Sequence, residues 1–551
     1  MLKNNKEISE LINKYFSFSY NQDQDMVHFQ EEIDKIILKH LNSEKISNDI
    51  PLENLTHHFL DSAIPGQPRS LNHYLAFVNE ILLPNIVNVC KPSYLGHMTS
   101  MLPVFHQYLG QLITQLNMNV VKTETSKVVT LLERQSIAML HRLFFQESDS
   151  FYEKHIQDQK TNMGLIVSGG TLANITALWI ARNNALKDEA GFKGVQNEGM
   201  QKSLKYFGYS EAVIIGSSLM HYSMEKLASL LGLGLENIIK IRLNAHGSID
   251  IDELEKMVVH CKENKKLIIS IIGIAGTTET GKIDDLQSMS EIAKKHKIHF
   301  HVDAAWGGSI LFSDKHKHLL KGIALADSVI ICGHKQLYLP QGISIVLCRN
   351  PDHVNNIKFT TRYQARKESF DLGKHSPEGS RPAFSLFLHA GLTLIGKDGY
   401  EYLIDEGIRK AAFLVKLIKK NDAFELIEEP QTNIVIYRFI PEELRERCSN
   451  GTLSLEDHYV INSINEVLQD EEFHQGKTFI SRSVLRQSKY GDMDIVILRA
   501  VISNPMTTEK EIEDLLEDQM EIGKYILTKR QFSFPEIIKL LYQQTSSFYR
   551  Q

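Results

Sequence analysis

From about residue 160 onward the chain alternates short, continuous apolar runs with amphipathic stretches, and this alternation constrains its fold more than any other feature. The runs are MGLIVS (163–168), EAVIIG (211–216), KLIISIIGI (266–274), HFHV (299–302), SVIIC (328–332) and ISIVLC (343–348). Between them lie helix-patterned segments such as TLANITALWIARNNAL and DDLQSMSEIAKKHK. A strand buried on both faces has no polar side to show. Runs of this kind, separated by helices, therefore predict an α/β fold: a mostly parallel sheet with helices on both faces. In such sheets ligands bind beyond the carboxyl ends of the strands, so the residues after each run are the functional candidates.

The flanking regions read differently. Residues 1 to about 155 are helical in pattern, with LGQLITQLNMNVV and KVVTLLERQSIAMLHRLFF carrying apolar residues at helical spacing. Residues 349–382 are polar and irregular, and a loop of that length inside a domain is usually functional or disordered. A final α+β part contains a strand, a turn at Asn504–Pro505 and a helix with a capping box at Thr508 and Glu511. The expected organisation is a helical dimerisation segment (1–120), a large ligand-binding domain (121–400) and a small C-terminal domain (401–551).

Composition excludes several classes. Lys+Arg 61 against Asp+Glu 67 gives a net charge of −6, which argues against a nucleic-acid binder. No stretch approaches the roughly 18 apolar residues of a membrane span. The polar start, MLKNNKEISELINKYF, lacks the apolar core of a secretory signal. None of Cys90, Cys261, Cys332, Cys348 and Cys448 forms a CxxC pair, so neither a disulfide framework nor a structural zinc site is expected, and the compartment is a reducing cytoplasm.

The strand ends carry unusual chemistry. Ser168-Gly169-Gly170-Thr171 opens a helix, where glycines and unpaired N–H groups suit a phosphate, although such a turn is often only a tight connection. His221 follows the second run. The loop 275–281 (AGTTETG) follows the third, with Asp284 expected to cap the next helix. Asp303-Ala304-Ala305 follows the fourth and Gly333-His334-Lys335 the fifth. Lysine can form a Schiff base with an aldehyde, and a carboxylate keeps a pyridine nitrogen protonated. The pair Asp303 and Lys335, with small residues beside it, therefore suits pyridoxal 5′-phosphate (PLP). A structural ion pair is the plainer alternative. His299, His301 and Asp303 share one face of a strand. They would need a fourth ligand and an open site to hold a metal, and packing is the commoner outcome for such a pattern, so no metal is expected. His316 and His318 read as solvated surface.

Taken in order, SGGTLANITAL, the His221 loop, AGTTETGKID, HVDAAWGGS, GHK and LRAVISNPMTTEKEIEDLL resemble the group II PLP-dependent amino-acid decarboxylases over about residues 90–525. The segments SYLGHM and CGHKQLYLPQG look closest to the bacterial aspartate 1-decarboxylases within that group. The resemblance implies a PLP-dependent type I fold, whose mostly parallel sheet has seven strands with helices on both faces, and a cytoplasmic homodimer with the N-terminal helices clasping the partner and the active site at the interface. It makes Lys335 the cofactor tether and Asp303 the partner of the pyridine nitrogen. His221 and Ala305 would lie on the two ring faces, Thr278 near the phenolic side, and Gly170, Thr171 and His334 at the phosphate. Arg499 and His97 would contact the substrate. It further implies decarboxylation of an acidic amino acid, first L-aspartate to β-alanine, then glutamate or cysteine sulfinate. A same-fold aminotransferase or lyase is the rival. Two departures stand out: Cys332 replaces a common Asn or Asp, and the loop around 360–380 offers Tyr363, with Phe370 near the expected proton-donating tyrosine. Arg362, Arg366 and Lys367 in that loop are further candidates for an acidic side chain.

Overall fold

The computed structural model describes residues 5–17, 20–360 and 369–529. Its main sheet comprises β1 (Gly164–Val167), β2 (Glu211–Ser217), β3 (Ile238–Ile241), β4 (Lys266–Ile274), β5 (His299–Asp303), β6 (Ser328–Cys332) and β7 (Ser344–Cys348). The strand order is β1-β7-β6-β5-β4-β2-β3. Strands β2 to β6 run parallel, and β7 is antiparallel to both of its neighbours. Six of the seven strands are the apolar runs of the sequence. The seventh, β3, has the sequence Ile-Ile-Lys-Ile at the sheet edge and is mostly half-buried, so it never presents a continuous apolar run.

Two-sided burial explains the runs. Along β6, Val329 and Ile331 enter one apolar cluster and Ile330 the other, all at most 1% exposed. Each such side chain contributes about 1.5–3 kcal/mol on burial. Asp303 breaks this rule at the end of β5, where it pairs in register with Ile274 of β4 and Ile330 of β6. A carboxylate at that place is conspicuous because its neighbours across both ladders are isoleucines.

The chain divides into two compact units. One is built from the N-terminal segment to Gly96, Phe439–Arg482 and the chain from Met506. The other comprises His97–Arg438 and Ser483–Pro505 and holds the main sheet. The units are discontinuous in sequence. The second unit also holds most of a four-stranded sheet ordered β10-β11-β9-β8, where β8 is Phe424–Leu426, β9 Ile434–Phe439, β10 Ser481–Gln487 and β11 Met493–Val501. Strand β11 is antiparallel to β9, with Arg499 opposite Ile436.

The long polar stretch after β7 contains only the 3-10 turns Pro351–Ile357 and Leu372–Lys374 among its described residues. It is clamped by a buried forked ion pair: Arg381 Nη1 and Nη2 donate to Glu133 at 2.9 and 2.5 Å. The C-terminal helix starts as expected, with Glu511 accepting the Thr508 N–H at 2.8 Å. No helix among the described residues is long and apolar enough to cross a membrane.

In the first unit, Glu472 and Asp518 are buried around one hydroxyl, Thr478 Oγ1, at 2.9 and 2.7 Å. A hydroxyl has one hydrogen to donate. With Thr478 donating to Asp518, the other contact requires a protonated Glu472, and burial pushes that carboxyl up to about 8. A group that keeps its proton in the folded state and loses it in the unfolded state costs stability as pH rises from the ordinary carboxylate range to about 8. Glu472→Gln, which keeps a donor to Thr478, is therefore expected to melt like the native protein near pH 5 and several degrees higher near pH 8. Identical pH profiles of melting temperature would contradict this protonation state.

Candidate active site

The carboxyl ends of the central strands supply the site. Asp303 ends β5 and is 8% exposed. Its Oδ2 accepts from Asn174 Nδ2 at 2.8 Å and its Oδ1 from the Ala305 N–H at 3.1 Å. The carboxylate plane is thus set by two donors, with lone pairs left for a ligand. Lys335 lies three residues beyond β6, in a turn closed by Gly333 N–H to Ile343 O (2.9 Å) and Leu339 N–H to Gly333 O (3.0 Å).

That turn is held tightly. Tyr338 adopts φ 54°, a left-handed conformation unfavourable for a bulky residue. Its N–H donates to Lys335 O at 3.1 Å and its hydroxyl to Ser503 O at 2.9 Å. Gln336 accepts from Ser309 Oγ at 2.9 Å and donates to Asn433 Oδ1 at 2.9 Å. The lysine turn is thereby tied to the segment that follows Arg499.

Electrostatics show which groups share this space. Burial holds the His221 imidazole below its ordinary pKa, with Lys335 reinforcing and Asp303 opposing the shift. Burial does the same to His97, helped by the positive charges of Arg499 and Lys335. Lys335 thus acts on both histidines, Asp303 on His221 and Arg499 on His97. His221 is oriented by the Ser223 N–H, which donates to its Nδ1 at 3.2 Å.

Two of the phosphate candidates, Gly170 and Thr171, open helix Gly170–Ala185, where the dipole and free N–H groups of a helix start favour an anion. A Cβ on Gly170 would stand 2.8 Å from Cys332 Sγ, so only glycine lets the helix start so close to β6. Thr171 is half-buried in the first turn. His334, also half-buried, presents a buried Nδ1 with no partner. An orphaned imidazole nitrogen, a glycine cradle and a helix amino terminus fit a phosphate group. Cys332 is a packed thiol, accepting from Ser344 Oγ at 3.2 Å and from the Gly170 N–H, and burial raises its pKa.

On the opposite side, Arg499 is 7% exposed on β11 and donates from Nη1 to the Thr278 carbonyl at 2.6 Å. The Thr278 main chain thus anchors the arginine. Glu279 next door is half-buried; burial raises its carboxyl pKa and Arg499 opposes the shift. The loop itself is braced by Asp284, whose carboxylate accepts from the Ile249 and Ile274 N–H groups at 2.9 Å each. Asp284 does not cap the following helix, as the sequence suggested. Asp285 does so by accepting from the Ser288 N–H at 3.1 Å, while burial pushes Asp284 up to about 6.

Some expectations fall elsewhere. Tyr363, Arg362, Arg366 and Lys367 lie outside the described residues, and Phe370 is half-buried. Among the described residues no group of three or more side chains could hold a metal. His301 instead lies 3.0 Å from Asn174 Oδ1, and Asn174 and Glu279 are the site residues that sequence reading missed. Asn174 sits inside an ordinary helical run, and Glu279 inside a loop whose threonines and glycines carry its recognisable pattern.

A model of the pyridoxal-dependent decarboxylase conserved domain matches residues 53–440. The chain is similar to the aspartate 1-decarboxylase of Aliivibrio fischeri, at 36% identity over 516 residues that cover 93% of this chain and 94% of that one. It is also similar to an acidic amino acid decarboxylase of Bos taurus, at 26% identity covering 76% and 75% of the two chains. The crystal structure of mouse CSAD has the same fold, with a TM-score of 0.78 at 23% identity over 90% of this chain and 98% of that one. With the domain match spanning most of the sequence and a full-length relative at this identity, the chain belongs to the pyridoxal-dependent decarboxylase family and is a PLP-dependent amino-acid decarboxylase.

Proposed function

We propose that this enzyme decarboxylates an acidic L-amino acid, with L-aspartate, giving β-alanine and carbon dioxide, as its preferred substrate. The observation that carries amino-acid decarboxylation is a buried arginine, Arg499, anchored on the Thr278 carbonyl and acting with Lys335 on His97, while the acidic class rests on similarity to relatives. A fixed guanidinium suits forked recognition of a carboxylate. Two relatives whose names specify aspartate and acidic amino acids support the same substrate class.

PLP, when bound, supplies an electrophilic aldehyde and a ring that accepts the electron pair released by the leaving carboxylate. In this reading Lys335 would tether it through its amine. Asp303 holds the proton on the pyridine nitrogen, a preorganised charge of the kind that dominates rate enhancement. His221 and Ala305 confine the ring from its two faces, and Thr278 borders its phenolic side. Gly170, Thr171 and His334 hold the phosphate. Arg499 orients the carboxylate to be lost, and His97 borders the substrate.

A homodimer accompanies this proposal. Val104, Tyr108, Leu112 and Leu116, spaced four apart along helix Phe105–Leu116 and its start, are 54, 67, 45 and 44% exposed. Such an apolar stripe on a folded surface suits burial against a second copy. A cytoplasmic setting suits the buried free thiols Cys261, Cys332 and Cys348.

The reading is tested by carbon dioxide release across acidic, aromatic and basic amino acids. The highest kcat/KM is expected for L-aspartate, with L-glutamate and L-cysteine sulfinate behind. Preference for an aromatic or basic substrate would overturn the substrate class, and keto-acid formation in place of carbon dioxide would indicate an aminotransferase. Arg499→Met should lower kcat/KM by about 100-fold, the scale of a lost charge-assisted contact; an unchanged value would remove Arg499 from substrate binding. Lys335→Ala should lose turnover and the visible absorbance of tethered cofactor together, and retention of both would exclude it as the tether.

A further inference from the structure

The hydrogen-bond directions behind Asp303 can be deduced one atom at a time. An ionised carboxylate only accepts, so Asn174 must turn its amide nitrogen to Asp303 Oδ2 (2.8 Å). The second amide hydrogen goes to Ser223 Oγ at 3.1 Å. Asn174 Oδ1 then faces His301 Nε2 at 3.0 Å, and that nitrogen must carry the hydrogen. Burial holds the fully enclosed His301 imidazole uncharged, with a pKa of about 3. Its Nδ1 is then the acceptor in the uncharged ring, and Ser328 Oγ, 2.8 Å away, donates to it, with the Ser328 main chain also close enough to raise the His301 pKa. Ser328 Oγ in turn accepts from His299 Nε2 at 2.8 Å. Every hydrogen points the same way, from His299 to Asp303.

We propose that His299, Ser328, His301 and Asn174 form a one-way hydrogen-bond chain whose function is to hold Asp303 correctly rotated toward the pyridine nitrogen. His301 and Asn174 are positioning residues, since neither is assigned a contact with cofactor or substrate. This inference rests on the Asp303 assignment above. The geometry gives the chain a reach beyond one carboxylate. Asn174 lies on the helix that begins at Gly170, Asp303 ends β5, and Ser223 is two residues from His221. One amide therefore locks together the phosphate, ring-nitrogen and ring-face elements. The alternation of His299, His301 and Asp303 on one strand face, which in sequence resembles a metal set, is used to pass hydrogen bonds from β6 to the site.

The test compares His301→Leu, which ends the chain, with His301→Gln, whose amide still donates toward Asn174. Ser328→Ala interrupts the chain with little change in volume, and Asp303→Asn serves as the reference. The readouts are the dissociation constant for PLP titrated into apo-protein, kcat and KM separately, and the apo-protein melting temperature. His301→Leu is expected to weaken PLP binding and lower kcat by about tenfold each with KM little changed, the usual scale for losing an orienting partner. His301→Gln should stay within a few-fold of native, and Ser328→Ala should fall between. If His301→Leu fails to fold, Ser328→Ala decides: a partial loss supports the chain and native behaviour overturns it. Equal defects in His301→Leu and His301→Gln would also overturn it, because donation would then be irrelevant. If Asp303→Asn is impaired while His301→Leu and Ser328→Ala are native, the chain alone is wrong. If Asp303→Asn is itself native, the assignment of Asp303 is wrong.

Discussion

The structure turns on one buried anion. Asp303 occupies the end of a central parallel strand, flanked in register by isoleucines, where a carboxylate without partners would be far too costly to keep. Asn174 and the Ala305 N–H make it tolerable by supplying two fixed donors. The sheet brings the Lys335 turn to the same edge, and the turn's own anchors, Tyr338 and Gln336, fix it to the region around β11. Separate sets of hydrogen bonds thus fix the Asp303 carboxyl group and the Lys335 turn.

Much of the fold is legible in the sequence because burial on both faces writes itself as uninterrupted apolar residues. Six strands of the main sheet carry that signature. The edge strand β3 does not, because a half-exposed four-residue strand with a lysine looks like any loop. The antiparallel direction of β7 is likewise invisible, since direction is set by the connection and leaves no mark on composition. The interleaved units escape for a related reason: pattern reading compares neighbours in the chain, whereas β11 pairs with β9, far upstream of it.

Candidate site residues that follow strands or belong to a recognisable run stand out in the sequence: Asp303, Lys335, His221, Gly170 and Arg499. Residues proposed to act through another residue do not. Asn174 looks like a routine helical position, and its importance exists only once the helix packs over β5. His301 was visible but ambiguous, because alternating histidines beside an aspartate are compatible with a metal, a packed strand or a hydrogen-bond path. Asp284 was misread as a cap because Asp284 and Asp285 are adjacent and chemically equivalent in sequence. Only the fold decides which carboxylate braces β4 and which starts the helix.

The most direct test of the central claim is chemical. Borohydride reduction of the holoenzyme, followed by peptide mass mapping, should find a stable pyridoxyl group on the peptide containing Lys335 and on no other lysine. A modified lysine elsewhere, or none at all, would contradict the site described.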